Sequence, residues 1–382
     1  VVPCWLNNNC IMCNGCSFVC PHGVIKPFLL NEEEYNKAPD SIKNRCLKDP
    51  KGYYYYLGIS VSDCTGCGLC LKKCPGKKNE KALIGKNLID VIEEQKNYDY
   101  LVKNVSSKDE YPINSIKGSQ FRDALFKFHG ACSGCGEAPY LKLLTQLFGK
   151  NLIISNATGC SSIYGASMPS MPYQIPWASS LFEDNAEYGY GILSANEVIR
   201  DNLTNLMKKE DNPLCKKWLK NKDDYNITKE VYENLDYKKI NPEIGKLKEY
   251  LIKRNFWIVG GDGWAYDIGF GGIDHVLASN SKVKILVLDT EVYSNTGGQS
   301  SKSTPLGSIA SFSYDGKKTS KKSLVKYALT LPNVYVGTIN INSNPTLAIK
   351  VLLEANEHDG PAIIIAYSSC IAHGIVGGLE ES

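Results

Sequence analysis

From about Gln120 onward the chain carries short apolar runs, each followed by Gly, Asn or Asp: Leu152-Ile153-Ile154, Phe256 to Val259, Val283 to Leu288, Val334 to Val336 and Ala362 to Ala366. Runs of that length, rich in β-branched residues and alternating with helical patterns such as Tyr140 to Phe148 and Thr346 to Glu357, predict buried parallel strands with crossover helices. A doubly wound, mostly parallel α/β domain is expected over 119–382. The first hundred or so residues have a different texture. They are turn-rich and hold two compact cysteine runs separated by a polar insert, Asn31 to Tyr56, which predicts a smaller α+β domain over 1–118. A charged stretch from Met207 to Arg254 interrupts the α/β region and reads as a solvated helical excursion at about 207–254. Apart from the duplicated cysteine run, no internal repeat is evident.

Composition narrows the classes. A chain of 382 residues, 43% hydrophobic and 22% charged, has room for two or three domains and the make-up of a soluble globular protein. No stretch approaches the roughly 18 apolar residues of a membrane span. The net charge of +3, from 43 Lys+Arg against 40 Asp+Glu, is too small to argue for nucleic acid. The outlier is the count of 15 Cys: bunched and odd in number, they make a poor disulfide framework and point to a reducing compartment, the cytoplasm or a mitochondrion-related organelle. The opening Val1-Val2-Pro3-Cys4-Trp5 has no initiator Met and is no signal peptide, so the chain reads as a segment of a longer polypeptide.

The first cysteine run is Cys10-x2-Cys13-x2-Cys16-x3-Cys20-Pro21 and the second Cys64-x2-Cys67-x2-Cys70-x3-Cys74-Pro75. Three thiolates at two-residue gaps let a short loop wrap three corners of a cubane, with a fourth cysteine displaced past it. In two-cluster ferredoxins that fourth cysteine serves the other cluster, which assigns Cys10, Cys13, Cys16 and Cys74 to one [4Fe–4S] and Cys20, Cys64, Cys67 and Cys70 to the other. Zinc sites or disulfides are the alternatives; neither calls for a third x2 gap or the trailing Cys-Pro. His22 is expected to be a loop residue, not a ligand.

Chemistry in the α/β region begins where the run Phe256 to Gly260 enters Gly261-Asp262-Gly263-Trp264. Two glycines let backbone approach a diphosphate, and Asp262 offers a hard oxygen for Mg²⁺. Gly-Asp-Gly resembles the motif of thiamine diphosphate (TPP) enzymes, although position 290 is Thr where many of them have Asn. Four more cysteines bear on the same place: Cys132 and Cys135 in Gly-Ala-Cys-Ser-Gly-Cys-Gly-Glu, Cys160 after the run at Leu152, and Cys370 after Ala362 to Ala366. In a parallel sheet these strand ends share the carboxyl edge with Asp262 and Thr290, where ligands of open α/β sheets bind. The four should therefore meet beside the cofactor as a third cluster site, leaving Cys4, Cys46 and Cys215 as structural or surface thiols.

With both cysteine runs, Asn156-Ala157-Thr158-Gly159-Cys160-Ser161-Ser162-Ile163-Tyr164-Gly165, Ser180 to Glu187 and Gly261 to Gly269, the chain resembles the C-terminal third of the pyruvate:ferredoxin (flavodoxin) oxidoreductase family, or its pyruvate:NADP⁺ branch, from about Cys10 to Gly374. The resemblance implies a bacterial-type 2[4Fe–4S] ferredoxin-like domain followed by a TPP-binding domain. It also implies three [4Fe–4S] clusters, TPP and Mg²⁺, the ion held by Asp262, the Thr290 side chain and the Val292 carbonyl. Implied TPP contacts are Glu137, Cys160, Gly261, Asp262, Gly263, Trp264, Thr290, Glu291, Val292, Tyr293, Ser294 and Asn295, with Asn295 and Cys160 nearest the chemistry. The implied reaction is oxidative decarboxylation of pyruvate to acetyl-CoA and CO₂. Electrons leave singly through the clusters to ferredoxin, flavodoxin or a fused flavin reductase, and the enzyme is a homodimer.

In this family the Glu that activates the aminopyrimidine lies in an N-terminal domain, so the chain is expected to need the N-terminal domains of the same polypeptide and to be inactive alone. Glu137, Glu183 and Glu187 are expected at the surface or behind the contacting residues. An oxidoreductase for another 2-oxo acid, or an electron carrier attached to an inert scaffold, are the competing readings.

Overall fold

The computed structural model describes residues 1–168 and 171–373. Gly374, the last residue of the resembling stretch, lies outside them. The N-terminal unit is built from β1 (Val2–Trp5), β2 (Ile25–Leu30), β3 (Leu47–Lys48), β4 (Tyr54–Ile59) and β5 (Leu83–Lys86). β1 pairs antiparallel with β5, and β2, β4 and β3 form an antiparallel sheet in the order β2-β4-β3. The polar insert Asn31 to Tyr56 thus ends inside β4. Each cysteine run winds into a short helix, Gly15–Val19 and Leu69–Lys73. Winding around a cluster-sized hollow puts Met12 and Asn14 in the left-handed region at the positions where the second run has Gly66 and Gly68. The second run meets this demand with the residue that adopts positive φ without strain, the first with an asparagine that tolerates it and a methionine that does not readily.

The second unit is a six-stranded, wholly parallel sheet of β6 (Leu152–Ala157), β7 (Trp177–Ser180), β8 (Asn255–Gly261), β9 (Lys284–Asp289), β10 (Tyr335–Ile339) and β11 (Ala362–Tyr367), in the order β10-β11-β9-β8-β6-β7. All five apolar runs became strands; β7, with its Trp-Ala-Ser-Ser sequence, carried no such signal. Side chains alternate between two cores. Trp257 and Val259 pack with helices Ala138–Phe148 and Pro345–Glu357, whereas Phe256 and Ile258 pack with helices Asn185–Met207 and Phe270–Ala278. Full burial of each such side chain stabilises the fold by about 1.5–3 kcal/mol.

The change of core between units falls between Phe121, which packs with the N-terminal unit, and Leu125, which packs with the sheet. Phe18 and Val19 of the first cysteine run also belong to the sheet's core, so the units meet through a packed interface. Helix Ala138–Phe148 is the interface element, and every one of its residues is buried. Its polar positions are satisfied across the boundary: the Leu125 amide donates to Thr145 Oγ1 at 3.1 Å, Gln120 bonds Gln146 at 3.1 Å, and the Lys142 ammonium donates to backbone carbonyls beyond Cys16. Burial pushes the Lys142 pKa down to about 8, with Cys20 and Cys16 acting in the opposite sense.

The charged excursion is helical but more than a solvated strap. Helices Pro213–Lys220, Tyr225–Asn234 and Pro242–Lys246 start at Asn212, Asp224 and Asn241, whose side chains each accept a hydrogen bond from a first-turn amide. They enclose a separate core of Trp218, Val231, Ile244 and Leu251 against Leu203 and Met207. Trp218 Nε1 donates to the Leu251 carbonyl at 2.9 Å, and the Arg200 guanidinium lies 5.3 Å over the Trp218 ring. Cys215 is buried in this core, which makes it a structural thiol.

Candidate functional site

All fifteen cysteines are free thiols. Two hollows in the N-terminal unit are each lined by four of them: Cys10, Cys13, Cys16 and Cys74 around one, Cys20, Cys64, Cys67 and Cys70 around the other. Cys20 and Cys74 cross over because the short helix after each third cysteine carries the fourth to the opposite hollow. Among the described residues no three His, Cys, Asp or Glu side chains are set to hold a single metal ion. Four thiols spread around a hollow suit a cubane, in which each binds a different iron, better than a tetrahedral zinc.

Cys10, Cys16, Cys64, Cys67 and Cys70 resist ionisation. Burial raises Cys10 and Cys16, and their neighbours in the same quartet raise them further; burial likewise pushes Cys67 up to about 11. Four thiolates are therefore unfavourable in the bare protein and need the positive charge of bound iron. Amides already aim at sulfur: Met12 N–H lies 3.4 Å from Cys10 Sγ, Gly66 N–H 3.4 Å from Cys64 Sγ and Ala82 N–H 3.3 Å from Cys74 Sγ. His22 is a turn residue, as expected, but a buried one. Its ring stacks on His129 at 4.4 Å and bonds the Ala131 carbonyl at 3.2 Å, just before Cys132.

The sheet's second site follows from its topology. From β6 the chain moves outward to β7 and then returns to the other side of β6 as β8, so strand order reverses between β6 and β8. Such a switch point opens a crevice at the carboxyl edge. A cavity of about 220 Å³ lies there, walled by Thr158 to Ser161 after β6, Gly261 to Trp264 after β8, Val292 to Thr296 after β9, and Glu137 and Phe182.

Asp262, 2% exposed, is the pivot. Its carboxylate accepts from Thr290 Oγ1 at 3.0 Å and from Ser301 Oγ, and burial pushes its pKa up to about 8, with Asp289 adding to the rise. Thr290 Oγ1 also lies 3.0 Å from the Val292 carbonyl and 2.6 Å from Ser294 Oγ. One carboxylate and several neutral oxygens brought together in a buried spot is the donor set a hard divalent cation takes, and a cation there would restore the ionised carboxylate. Gly263 is needed because a Cβ there would lie 2.4 Å from the Tyr293 ring.

Other expected residues divide. Asn295 lines the cavity, its Oδ1 3.9 Å from Cys160 Sγ. Trp264 borders the cavity while its indole packs against Gly260, where a Cβ would meet it at 2.4 Å. Glu291 is not in the cavity wall; its carboxylate pairs with Lys321 at 2.8 Å. Cys132, Cys135, Cys160 and Cys370 are drawn together at the same edge. Burial raises Cys160, as do Glu137, Cys135, Cys370 and Cys132 around it.

Glu137 lies in the cavity wall, where the resemblance places a TPP contact, and not at the surface. It is 5% exposed and lines the cavity, with its Oε2 accepting from the Tyr164 hydroxyl at 3.1 Å. Burial pushes its pKa up to about 7. Glu183 and Glu187 are exposed, as expected. Ser301, Tyr164 and Phe182 were not singled out from the sequence. Tyr164 and Phe182 lie inside the quoted motifs, whereas Ser301 sits in a polar run with no distinguishing signal.

Two family models match the chain: the 4Fe-4S dicluster domain over residues 9–79, and the C-terminal TPP binding domain of thiamine pyrophosphate enzymes over residues 246–366. Across 98% of its length the chain is 44% identical to the pyruvate:ferredoxin oxidoreductase of Moorella thermoacetica, and across 100% it is 42% identical to the pyruvate-flavodoxin oxidoreductase of Klebsiella pneumoniae. Along essentially its whole length the chain matches a part of the pyruvate:ferredoxin and pyruvate-flavodoxin oxidoreductases. It spans about a third of those relatives, 34% of each, and 22% of the mitochondrial pyruvate dehydrogenase [NADP(+)] of Euglena gracilis, to which it is 41% identical over its full length. It thus joins an iron–sulfur unit to a TPP-binding unit. No helix among the described residues is long and apolar enough to cross a membrane. A solved 2-oxoglutarate:ferredoxin oxidoreductase from Magnetococcus marinus overlaps 64% of this chain and 65% of its own at a TM-score of 0.40 and 18% identity, too loose a likeness to build on.

Proposed function

We propose that this chain is the electron-exit and diphosphate-binding part of a CoA-acylating pyruvate oxidoreductase that converts pyruvate to acetyl-CoA and CO₂. The observation that supports the reading is the shared sheet edge: Cys160 and the buried Asp262 wall one cavity. TPP, when bound, supplies the electron sink on which a 2-oxo acid loses CO₂. Asp262, Thr290 and the Val292 carbonyl hold Mg²⁺ and through it the diphosphate, while Gly261 and Gly263 keep that wall low. Asn295 and Cys160 face the reacting end.

Cys132, Cys135, Cys160 and Cys370 would hold one [4Fe–4S] cluster, Cys10, Cys13, Cys16 and Cys74 a second, and Cys20, Cys64, Cys67 and Cys70 a third, and these would supply one-electron redox chemistry. Ferredoxin, flavodoxin or a fused reductase domain receives the electrons. Further domains of the same polypeptide bind pyruvate and coenzyme A and activate the aminopyrimidine, the enzyme works as a homodimer, and it resides in the cytoplasm or a mitochondrion-related organelle. The domains divide near residue 118, where the iron–sulfur unit gives way to the TPP-binding unit.

Analysis of the anaerobically purified protein tests this: about 12 Fe and about 12 acid-labile sulfides per chain are expected for three cubanes. A reproducible content near 8, with Cys132, Cys135, Cys160 and Cys370 open to alkylation in the native protein, would remove the cluster beside the cavity. Turnover of the full-length polypeptide on a panel of 2-oxo acids, with pyruvate fastest, tests the substrate.

A further inference from the structure

Lys142 is 1% exposed, on the interface helix Ala138–Phe148. An ammonium has three donors, and Lys142 uses all three on main-chain oxygens of the first cysteine run: the carbonyls of Ser17, of Phe18 at 3.1 Å and of Cys20 at 2.8 Å. These carbonyls lie at the end of helix Gly15–Val19; that of Ser17 also accepts the Cys20 amide, at 3.2 Å. A neutral donor would have served them. The residue instead brings an ammonium into the protein interior and bonds it to backbone carbonyls, an arrangement that is costly unless an opposite charge lies near.

The segment it grips runs from Cys16 to Cys20, and these two cysteines belong to different quartets. A [4Fe–4S]²⁺ core with four thiolates carries a net charge of −2. One-electron reduction converts one ferric equivalent to ferrous and takes the charge to −3 with no bond broken. The missing opposite charge would therefore be present once iron is bound, through Cys20 of one quartet and Cys16 of the other, which both act on Lys142, and it would grow on reduction.

We propose that Lys142 is a positioning residue that places one fixed positive charge between the two ferredoxin-like clusters, raising their reduction potentials and tying electron-carrying loops to the TPP-binding unit. This rests on the cluster assignment above. The charge favours the reduced form of whichever cluster it faces, so electrons leaving the sheet-edge site move toward the N-terminal unit.

The test is an EPR-monitored redox titration of the full-length, cluster-loaded protein and of Lys142→Gln, Lys142→Met and Lys142→Arg. Removing the charge in Gln and Met should lower the reduced-to-oxidised ratio of at least one N-terminal cluster about tenfold at a fixed potential, equivalent to about 59 mV for one electron. Arg, which keeps the charge in a different shape, should stay near wild type. Unchanged potentials in Gln and Met with iron content intact overturn the proposal. If the neutral variants lose iron while Arg keeps iron and potential, charge is what the site needs; if all three lose it, shape is, and the proposal fails. Wild-type protein with no reducible N-terminal clusters would sink the underlying assignment instead, a result visible before any variant is made.

Discussion

The two halves of this chain build cofactor sites by opposite means. In the N-terminal unit six of the eight quartet cysteines come from loops of seven residues, Cys10 to Cys16 and Cys64 to Cys70, so local winding makes each hollow and only Cys20 and Cys74 cross. At the sheet edge, Glu137, Cys160, Asp262 and Thr290 come from four separate segments, brought together by the parallel pairing of β6, β8 and β9 and by the packing of helix Ala138–Phe148 on that sheet. A local site can tolerate a weakened remainder of the fold. An assembled one depends on strand register throughout.

The sharpest probe of that contrast is the crossing cysteine. Cys74→Ser should cost the protein about 4 of about 12 Fe, and the lost iron should come from the hollow of Cys10, Cys13 and Cys16. Iron analysis with EPR of the remaining clusters checks it, and loss from the Cys64 hollow instead would mean that the runs do not exchange ligands. Next in size, Asp262→Ala should weaken Mg²⁺-dependent TPP binding at least about 100-fold by calorimetry, since it removes the sole carboxylate of the donor set. Iron content should not change, because no cysteine quartet depends on that side chain; a coupled loss of N-terminal iron would show that the two kinds of site are not independent.

Smaller effects map what lies outside both sites. Trp218→Ala opens a cavity in the separate core of the helical excursion and should destabilise that segment by about 3–5 kcal/mol. Hydrogen exchange should quicken across Pro213–Lys220 and Tyr225–Asn234 while β8 and β9 stay protected, and uniform acceleration would make the excursion part of the sheet's cooperative unit. Smallest of all, Tyr164→Phe removes one hydrogen bond to buried Glu137, worth about 1–3 kcal/mol when its partner is left unsatisfied. TPP affinity should fall by no more than about tenfold, and full retention would show that Glu137 does not hold the cofactor.

How far each region could be read in advance follows the same divide. The five apolar runs identified five of the six sheet strands; the four inner ones, β6, β8, β9 and β11, are largely buried on both faces and so largely apolar, while the edge strand β10 is apolar only in part. β7 escaped because it is an edge strand, half-exposed and short, where Ser179 and Ser180 suffice. The excursion showed its charges but hid its core, since Trp218, Val231, Ile244 and Leu251 are spaced too widely to form a run. Glu137 is marked in the sequence only by resemblance; its burial is set by the packing of a whole helix, which no short window reveals. Glu291 matched a motif by position, yet its left-handed backbone and the nearby Lys321 turn its carboxylate away from the cavity.

By itself the sequence determined the ligand spacing of the two cysteine runs, the strand-forming segments and the identity of the groups able to hold iron or a divalent cation, because each is a property of residues close together in the chain. Tertiary structure alone decided which distant groups share a cavity and which charges are buried. Strand order places Asp262 and Cys160 at one switch point, desolvation lifts Asp262 and Glu137 out of their ordinary ranges, and the docking of helix Ala138–Phe148 carries the Lys142 ammonium to the backbone between two cysteine quartets. Those outcomes are collective: the cost of burying a charge depends on everything packed around it, and no local stretch of chain encodes that sum.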